Sequence, residues 1–304
     1  MTTGLIQPVR ADPKDRQEAL MAILPAGSGP QQARRFEQYA SQNGIGLDLL
    51  WVIRNQEGQI DSSVLCVPAA GRTAMVFSSP TLHHNQIESR AKLIRHALDS
   101  LRREDIDLAQ ALLPSEDLLG EAAHHAGGFS HLANLMYMER HLTPSSPAPA
   151  MPADIELVPL TDDLETALSS VLEASYEETL DCPGLCGLRQ TRDIIAGHRA
   201  MGTAEPEGWM LLKVDEHFHG VIMINRSADD SSYELVYLGI SQAVRNRGLG
   251  RFLLEEVLHR FSGRGPRRMT LAVDANNAPA RSLYTSLGFK SNMQRTACIC
   301  SVAH

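Results

Sequence analysis

The chain has 304 residues, which is long for one domain and sufficient for two domains that each bury a core. Its 43% hydrophobic and 21% charged residues are typical of globular proteins and exclude wholesale disorder. A formal net charge of −8 argues against a nucleic-acid partner, and the lack of a signal-like start or a long apolar run predicts a cytoplasmic protein without a membrane segment.

The first half of the chain predicts short strands alternating with amphipathic helices. A long helix over 86–103 is indicated by the single apolar stripe of Ile87, Ala91, Ile94, Leu98 and Leu101. Strands are predicted at 5–9, 47–54, 62–67, 73–78 and 108–113, helices at 13–23, 31–42 and 116–125, and one long strand or a strand pair at 129–140.

Residues 142–152 separate the two halves. They contain four prolines among small residues, which favours an extended, semi-rigid segment with nothing to bury. The sequence therefore predicts a first domain over 1–142, a linker over 143–153 and a second domain over 154–304.

The second half predicts a comparable series of elements. Strands are expected at 155–158, 209–214, 217–224, 233–240 and 269–273, with helices over 161–176 and 189–201, from Gly250 to Phe261, and within 276–289. The last helix is expected to end at Gly288, because glycine readily takes the left-handed conformation that closes a helix.

A glycine-bearing turn follows the strand over 233–240. The turn reads Arg245-Asn246-Arg247-Gly248-Leu249-Gly250 and leads into an amphipathic helix. Free N–H groups at the helix start, together with two arginines, suit an anion such as a pyrophosphate. The turn lacks the Gly-Lys-Ser/Thr ending of a nucleoside-triphosphate P-loop. Alone, this pattern is equally consistent with an ordinary glycine-rich turn that carries solvated arginines.

The turn and the block that follows it together resemble the GNAT superfamily of N-acetyltransferases. The resemblance is carried by Arg245, Gly248, Gly250, Val273, Asn277, Ala280, Leu283, Tyr284, Gly288 and Phe289, in the family's order and spacing. It implies an α/β fold built on a mixed α+β sheet and acetyl-CoA (CoA) as co-substrate. The cofactor-binding residues implied are Leu238, Gly239, Ile240, Arg245, Asn246, Arg247, Gly248, Leu249, Gly250, Asn277 and Ala280.

The resemblance also implies two catalytic residues. Glu234, five residues before Gly239, corresponds to a glutamate that acts as general base in several GNAT enzymes, and Tyr284 corresponds to the acid that protonates the leaving sulfur. Each residue has a plainer alternative: Glu234 could be a solvated carboxylate at a strand start, and Tyr284 a packing residue. Backbone N–H groups around 238–240 are expected to polarise the thioester oxygen.

The two halves match at an offset of 160 residues. Gly127-Gly128-Phe129 then superposes on Leu287-Gly288-Phe289, and His124 takes the place of Tyr284. The segment 81–86, which replaces the glycine turn, contains no glycine. The sequence thus predicts two tandem GNAT-type acyl-CoA N-acyltransferase domains with a degenerate N-terminal copy, an arrangement that resembles mycothiol synthase. A second acyl-CoA, held in the first copy without the motif, is the alternative.

The remaining candidates concern the acceptor and a metal. Cys182 and Arg189 lie in the loop and helix that cover the acceptor pocket in GNAT proteins, and are candidate substrate contacts. The pairs Cys182/Cys186 and Cys298/Cys300 lack the usual zinc spacing, so no metal site is predicted.

The predicted function is transfer of an acetyl group from acetyl-CoA to a primary amine by direct attack in a ternary complex. The acceptor is expected to be a small-molecule or peptide amine. Two alternatives are a CoA-binding sensor or partner-binding module without turnover, and a protein N-terminal acetyltransferase. Oligomeric state is left open by the sequence.

Overall fold

The structure, a computed structural model, describes residues 7–24, 28–143 and 148–302. The chain divides into two compact units. Unit 1 is drawn from Met1–Leu132 and Thr296–His304, and unit 2 from Ala133–Arg295. Each unit is a mixed α/β structure with its own strands, helices and buried clusters.

Unit 1 has helices on both faces of its sheet. Adjacent strand residues point to opposite faces, so Val52 packs with the first two helices, whereas Ile53 packs with the third. The elements are β1 (Val9–Arg10), α1 (Arg16–Ile23), α2 (Pro30–Gln42), β2 (Leu50–Arg54), β3 (Ile60–Ala69), β4 (Thr73–Ser78), α3 (Ile87–Leu101), β5 (Leu108–Pro114) and α4 (Leu118–Gly127). Strands β1 to β4 pair antiparallel in order, and β4 pairs with β5 in parallel.

Unit 2 has the same layering. Its elements are β7 (Ile155–Pro159), α5 (Glu165–Tyr176), α6 (Thr191–Ala200), β8 (Thr203–Ala204), β9 (Met210–Val214), β10 (His217–Arg226), β11 (Tyr233–Ile240), α7 (Leu249–Phe261), β12 (Arg268–Asp274) and α8 (Ala278–Ser286). The strand order is β12-β11-β10-β9-β7, with β8 paired to β10, and only β11 and β12 run parallel. Helices α5 and α6 cover one face, and α7 covers the other.

Helix α7 holds its face of the sheet through one apolar stripe. Leu253, Val257 and Phe261 recur every four residues, and Leu254 and Leu258 widen the stripe. All five are buried in the largest cluster of unit 2. Each fully buried leucine contributes about 1.5–3 kcal/mol of transfer free energy, so this stripe fixes the helix, and with it the turn at its start.

Each unit completes its sheet with a strand from the other half of the sequence. Strand β6 (Ser130–His141) begins in unit 1, and in unit 2 it pairs antiparallel with β12 from Leu135↔Asp274 to His141↔Arg268. Strand β13 (Lys290–Ser301) begins in unit 2 and ends beside β5 in unit 1. Cys298 and Val302 are buried there, and the Val302 N–H donates to the Asp107 carbonyl at 2.9 Å.

The predicted repeat is visible in the backbone hydrogen bonds of each unit. The Phe129 N–H donates to the His124 carbonyl at 3.0 Å, and the Phe289 N–H donates to the Tyr284 carbonyl at 3.0 Å. Before α4, the Asp117 N–H donates to the Pro114 carbonyl at 3.0 Å. Before α8, the Asn277 N–H donates to the Asp274 carbonyl at 2.9 Å. The 160-residue offset is confirmed within these two segments.

The element order predicted from the sequence is confirmed, with one main omission. Residues 129–140 form one long strand, and α7 begins at the glycines as expected. Strand β13 was not predicted, because its first five residues are all exposed and show no alternation. Residues 5–6 of the first predicted strand and 144–147 of the linker lie outside the described residues. The domain boundaries at 142 and 154 stay a prediction. The compact units differ from the predicted domains because most of β6 belongs to unit 2 and the end of β13 belongs to unit 1.

Across the part of the chain that the structure describes, no helix has both the length and the apolar character needed to cross a membrane.

Replacing Cys298 by aspartate tests the exchanged strand. The thiol is 3% exposed among apolar neighbours in unit 1, so an unpaired carboxylate there is expected to cost about 3–5 kcal/mol. Hydrogen exchange should accelerate in β5 and α3 of unit 1, although the substitution lies near the end of the sequence. Cys186→Asp, at an exposed thiol, is the matched control. Unchanged protection of β5 and α3 would contradict the strand exchange.

Candidate active site

Strand β11 contains a β-bulge at Val236. Its partner strand β10 pairs Met223 with Tyr237 and the next residue, Ile224, with Leu235, which leaves Val236 between them without a partner. As a result Val236 and Tyr237 both pack on the α5 side, whereas Leu235 packs on the α7 side. The bulge therefore changes which face the residues after it present. The only sign of the bulge in the sequence is the apolar run of β11, which does not alternate with polar residues.

Beyond Glu234, β11 separates from β12. The two strands pair at Tyr233↔Met269 and Glu234↔Thr270, and among the described residues their ladder ends there. Strand β12 continues to Asp274 paired with β6 on its other side. The edge of β11 over 235–240 that faces β12 thus has no strand partner in the described chain. Such an edge offers N–H and C=O groups to an extended ligand.

Glu234 lies at the point of separation. It is half-buried on the last ladder pair, and burial raises the pKa of its carboxyl above the usual range. Its cross-strand neighbour Asn225 accepts a hydrogen bond from Trp209 and donates to carbonyls of α6 and the residue after it. Because cross-strand pairs share a face, Glu234 faces the side of the sheet covered by α5 and α6.

The predicted turn forms an open helix start. Gly248 is the N-cap of α7 with φ of +78°, and an added Cβ would meet no atom within 4 Å. No side chain caps this helix, and the first intrahelical bond is donated by Phe252 to the Gly248 carbonyl. Asn246 also has a positive φ, of +65°. The turn thus presents the N–H groups of the first helical turn to a ligand.

The two arginines of the turn have protein partners. Arg245 donates to three carbonyls: Ile240 at 3.1 Å, Ser175 at 2.9 Å and Glu178 at 3.5 Å. Arg247 pairs with Asp154. Arg245 therefore ties the end of β11 to the C-terminal end of α5. The sequence predicted cofactor binding for both residues, which stays a prediction, and it gave no sign of these contacts.

Gly239 allows α5 to approach the strand closely. An added Cβ would lie 2.8 Å from the Ser175 Oγ and 2.6 Å from a ring carbon of Tyr237. On the other face, Leu238 and Ile240 pack against the α7 cluster. These three residues, predicted to contact the thioester, line the unpaired part of β11.

Helix α8 carries the predicted acid. The Asn277 Oδ1 caps the helix by accepting the Ala280 N–H at 3.2 Å. Tyr284 is 8% exposed and packs edge-on against Phe289, with ring centroids 5.9 Å apart. Burial, and secondarily the charge of Asp181, raises the pKa of its phenol, so the hydroxyl is protonated at neutral pH. None of the described residues hydrogen-bonds this hydroxyl.

The acceptor-side candidates lie in the segment between α5 and α6. Burial raises the pKa of the Cys182 thiol to about 12, with Asp181 and Asp274 adding to the effect. Arg189 donates to the Asp193 carbonyl at 2.8 Å and, with burial as the larger cause, helps to lower the pKa of His198 to about 4. No motif in the sequence marks Asp181 or Asp274 as site residues.

A polar aromatic group lies beside this segment. The Tyr237 hydroxyl and the Ser175 Oγ are 2.7 Å apart, and the Tyr176 ring meets Tyr237 edge-on at 5.9 Å. The His198 ring lies 5.6 Å from Tyr237. No sequence signal marks these side chains either, since aromatic residues on a strand and at a helix end are ordinary packing residues.

The corresponding place in unit 1 is internally satisfied. There the Gln86 Oε1 accepts the N–H groups of Leu82 at 2.9 Å and His83 at 3.1 Å, at the turn before α3. A side-chain amide oxygen of the protein thus accepts two backbone N–H groups that precede this helix. In place of Tyr284, His124 is buried, and its Nδ1 lies 2.8 Å from the Gly120 carbonyl oxygen.

Residues 172–289 match the model of the acetyltransferase (GNAT) family. This range contains the separating strands, the open helix start and α8. It is a GNAT acetyltransferase domain. The predicted resemblance to that family is thereby confirmed.

Curated relatives of part of this chain are named mycothiol acetyltransferase. The one from Corynebacterium glutamicum (strain R) is 43% identical over 56 residues, which is 18% of this chain and 19% of the relative. The one from Catenulispora acidiphila is 29% identical over 171 residues, or 53% of this chain and 52% of the relative. The chain thus spans about a fifth to about half of the length of these two relatives.

Solved structures resemble the whole chain in fold. A GCN5-related N-acetyltransferase from Sphaerobacter thermophilus has a TM-score of 0.63 at 17% identity, covering 98% of this chain and 96% of that one. A tandem GNAT protein from the clavulanic acid biosynthesis pathway has a TM-score of 0.54 at 18% identity, covering 98% of both chains. The predicted fold class, a mixed α/β fold shared with tandem GNAT proteins, is confirmed.

Replacing Gly248 by aspartate tests the anion site. A carboxylate at the open start of α7 is expected to repel the pyrophosphate and to weaken acetyl-CoA binding about tenfold or more, a loss of about 1.4 kcal/mol. Calorimetric titration should show one acetyl-CoA per chain, weakened in the variant. Gly263→Asp is the matched control, since Gly263 also has φ of +78° but follows the other end of α7. Two sites per chain, or equal losses in both variants, would contradict the assignment.

Proposed function

We propose that the chain is an N-acetyltransferase that moves an acetyl group from acetyl-CoA to a primary amine by direct attack in a ternary complex. The observation that carries the proposal is the separation of β11 from β12 beside an uncapped glycine start of α7. An extended pantetheine arm suits the unpaired strand edge, and its pyrophosphate suits the helix start.

In this proposal Glu234 is the general base. Its carboxylate takes a proton from the acceptor amine, directly or through water, as the nitrogen attacks the thioester carbon. Backbone N–H groups of 238–240 stabilise the developing oxyanion. A carboxyl with a raised pKa is a better base than an ordinary glutamate, because the proton transfer is closer to balanced near neutral pH.

Tyr284 is the proposed general acid. When the carbon–sulfur bond breaks, its hydroxyl donates a proton to the CoA thiolate, which leaves as the thiol. The raised pKa keeps the phenol protonated until that step. Asn277 and Ala280, at the start of the same helix, are proposed to contact the pantetheine arm.

The acceptor is proposed to be a small-molecule or peptide amine. Relatives named mycothiol acetyltransferase make an amine related to mycothiol the first small acceptor to test. A peptide with a free α-amine tests protein N-terminal acetylation, and Cys182 and Arg189 are the proposed acceptor contacts. If the domain binds CoA as a sensor, no amine supports turnover and the catalytic substitutions below change no amine-dependent assay.

Replacing Glu234 by glutamine tests the base. We expect kcat to fall about 100-fold or more, with the Kd for acetyl-CoA unchanged. Because the base must be deprotonated and its pKa is raised, wild-type kcat should fall as the pH drops through a pKa above that of an ordinary glutamate. The variant should lose this acidic limb. Glu156→Gln, at an exposed β7 carboxylate, is the control. A variant that keeps the acidic limb would exclude Glu234 as the base.

Replacing Tyr284 by phenylalanine tests the acid. The substitution keeps the ring in its cluster and removes the hydroxyl, so we expect kcat to fall about 100-fold with little loss of stability. Tyr233→Phe is the matched control, because Tyr233 lies in the same cluster and its hydroxyl donates to the Arg264 carbonyl. Single-turnover kinetics separates chemistry from product release. Equal rates in the two variants would leave Tyr284 a packing residue.

A further inference from the structure

Residues 177–190, here called the acceptor-side loop, connect α5 to α6. The helices α1 and α2 of unit 1 are joined by the much shorter segment 24–29. Within the loop, Glu178 and Cys182 have φ of +49° and +46°, a left-handed conformation that non-glycine residues rarely adopt. Such a conformation persists only where neighbouring contacts enforce it.

At Cys182, two aspartates make such contacts reciprocally. The Asp181 Oδ1 accepts the Asp274 N–H at 2.9 Å, and the Asp274 Oδ2 accepts the Cys182 N–H at 3.3 Å. Asp274 is 3% exposed and also accepts the Asn276 N–H at 2.8 Å. The side chain of Asn277, the cap of α8, hydrogen-bonds to Asp181. One network therefore joins the loop, the end of β12 and the start of α8.

The network joins the two elements that carry the predicted acid, Tyr284, and the proposed acceptor contact, Cys182. Helix α8 carries Tyr284 two turns beyond its cap, and the Asp181 charge is felt by the Tyr284 phenol. The loop itself carries Cys182, a proposed acceptor contact. A shift of the loop relative to α8 would thus change the distance between the acceptor and the acid.

Unit 1 shows that the strand-to-helix join does not require the pair. At the 160-residue offset Pro114 takes the place of Asp274, yet the same backbone bonds form, and Asp117 caps α4 by accepting the Gly120 N–H at 2.9 Å. The carboxyl pair occurs where a long loop and the predicted acid must be held together. Its role is therefore more specific than closing a helix start.

We propose that Asp181 and Asp274 are positioning residues for acetyl transfer, which hold the acceptor-side loop against the start of α8 so that the acceptor amine and Tyr284 meet in one geometry. The proposal rests on the proposed function. Neither carboxyl is assigned a proton-transfer step. The pair acts through the loop and through α8.

The test uses Asp181→Asn and Asp274→Asn in the full chain. In each variant a carboxylate that accepts two hydrogen bonds becomes a carboxamide with one accepting oxygen, so one bond of the network is lost. We expect the KM for the acceptor amine to rise about tenfold or more, with acetyl-CoA Kd within about twofold of wild type. Hydrogen exchange should accelerate over 177–190 and stay unchanged in α7. Asp230→Asn, at an exposed turn residue that also has positive φ, is the matched control.

Two results would overturn the proposal. One is unchanged loop exchange in both variants. The other is an equal loss of acceptor and acetyl-CoA affinity, which would assign the pair to the general stability of unit 2. If Asp274→Asn does not fold, Asp181→Asn, which changes a loop residue, decides the question.

The outcome is separable from that of the proposed function. Loop exchange and acetyl-CoA affinity are measured without turnover. A chain that acetylates no amine but shows faster loop exchange in both variants, with acetyl-CoA affinity kept, would refute the enzyme and support the role of the pair in holding the loop. Unchanged loop exchange would overturn the pair whether or not an acceptor is found.

Discussion

The candidate site of unit 2 depends on two parallel strands that pair at their beginnings and then part. Strands β11 and β12 share only the pairs Tyr233↔Met269 and Glu234↔Thr270. A strand edge inside a sheet has polar groups that need partners, so the separation favours a ligand that carries its own amides. Because the carboxyl ends of parallel strands meet at one edge of the sheet, the starts of α7 and α8 also converge there. The strand order alone therefore brings the starts of both helices to the same edge of the sheet.

Unit 1 keeps this topology but differs in its polar groups at the corresponding turn and helix. Strands β4 and β5 are parallel and pair over three positions from Thr73↔Leu108 to Met75↔Gln110. At the turn before α3, the Gln86 Oε1 accepts the N–H groups of Leu82 and His83. Burial lowers the pKa of His124 at the tyrosine position, so it stays neutral and serves as a packing residue against Phe129. Packing can preserve a fold while the polar groups that bind a ligand change.

The features that could be predicted are those formed by residues close together in the sequence. The stripe of α7, the glycine turn and the cap of α8 each involve residues within a few turns of one another, and their placement was predicted. The strand exchange, the bulge at Val236 and the Asp181–Asp274 pair depend on contacts between distant residues. Arg245 is the intermediate case: the motif predicts it correctly as part of the turn, but its hydrogen bonds to Ser175 and Glu178 are made with another helix and loop.

The charges on the acceptor side bear on whether the reaction passes through a covalent intermediate. A covalent route would need a nucleophile on the acceptor side, and the candidate there is the thiol of Cys182, whose N–H donates to Asp274. Its pKa of about 12 leaves almost no thiolate at neutral pH, because the thiol is buried and two aspartates lie beside it. A thiol must be deprotonated to attack a thioester, and the raised pKa opposes that step. The same carboxylates that hold the loop therefore disfavour an acyl-cysteine intermediate. This supports direct attack by an amine whose proton Glu234 accepts.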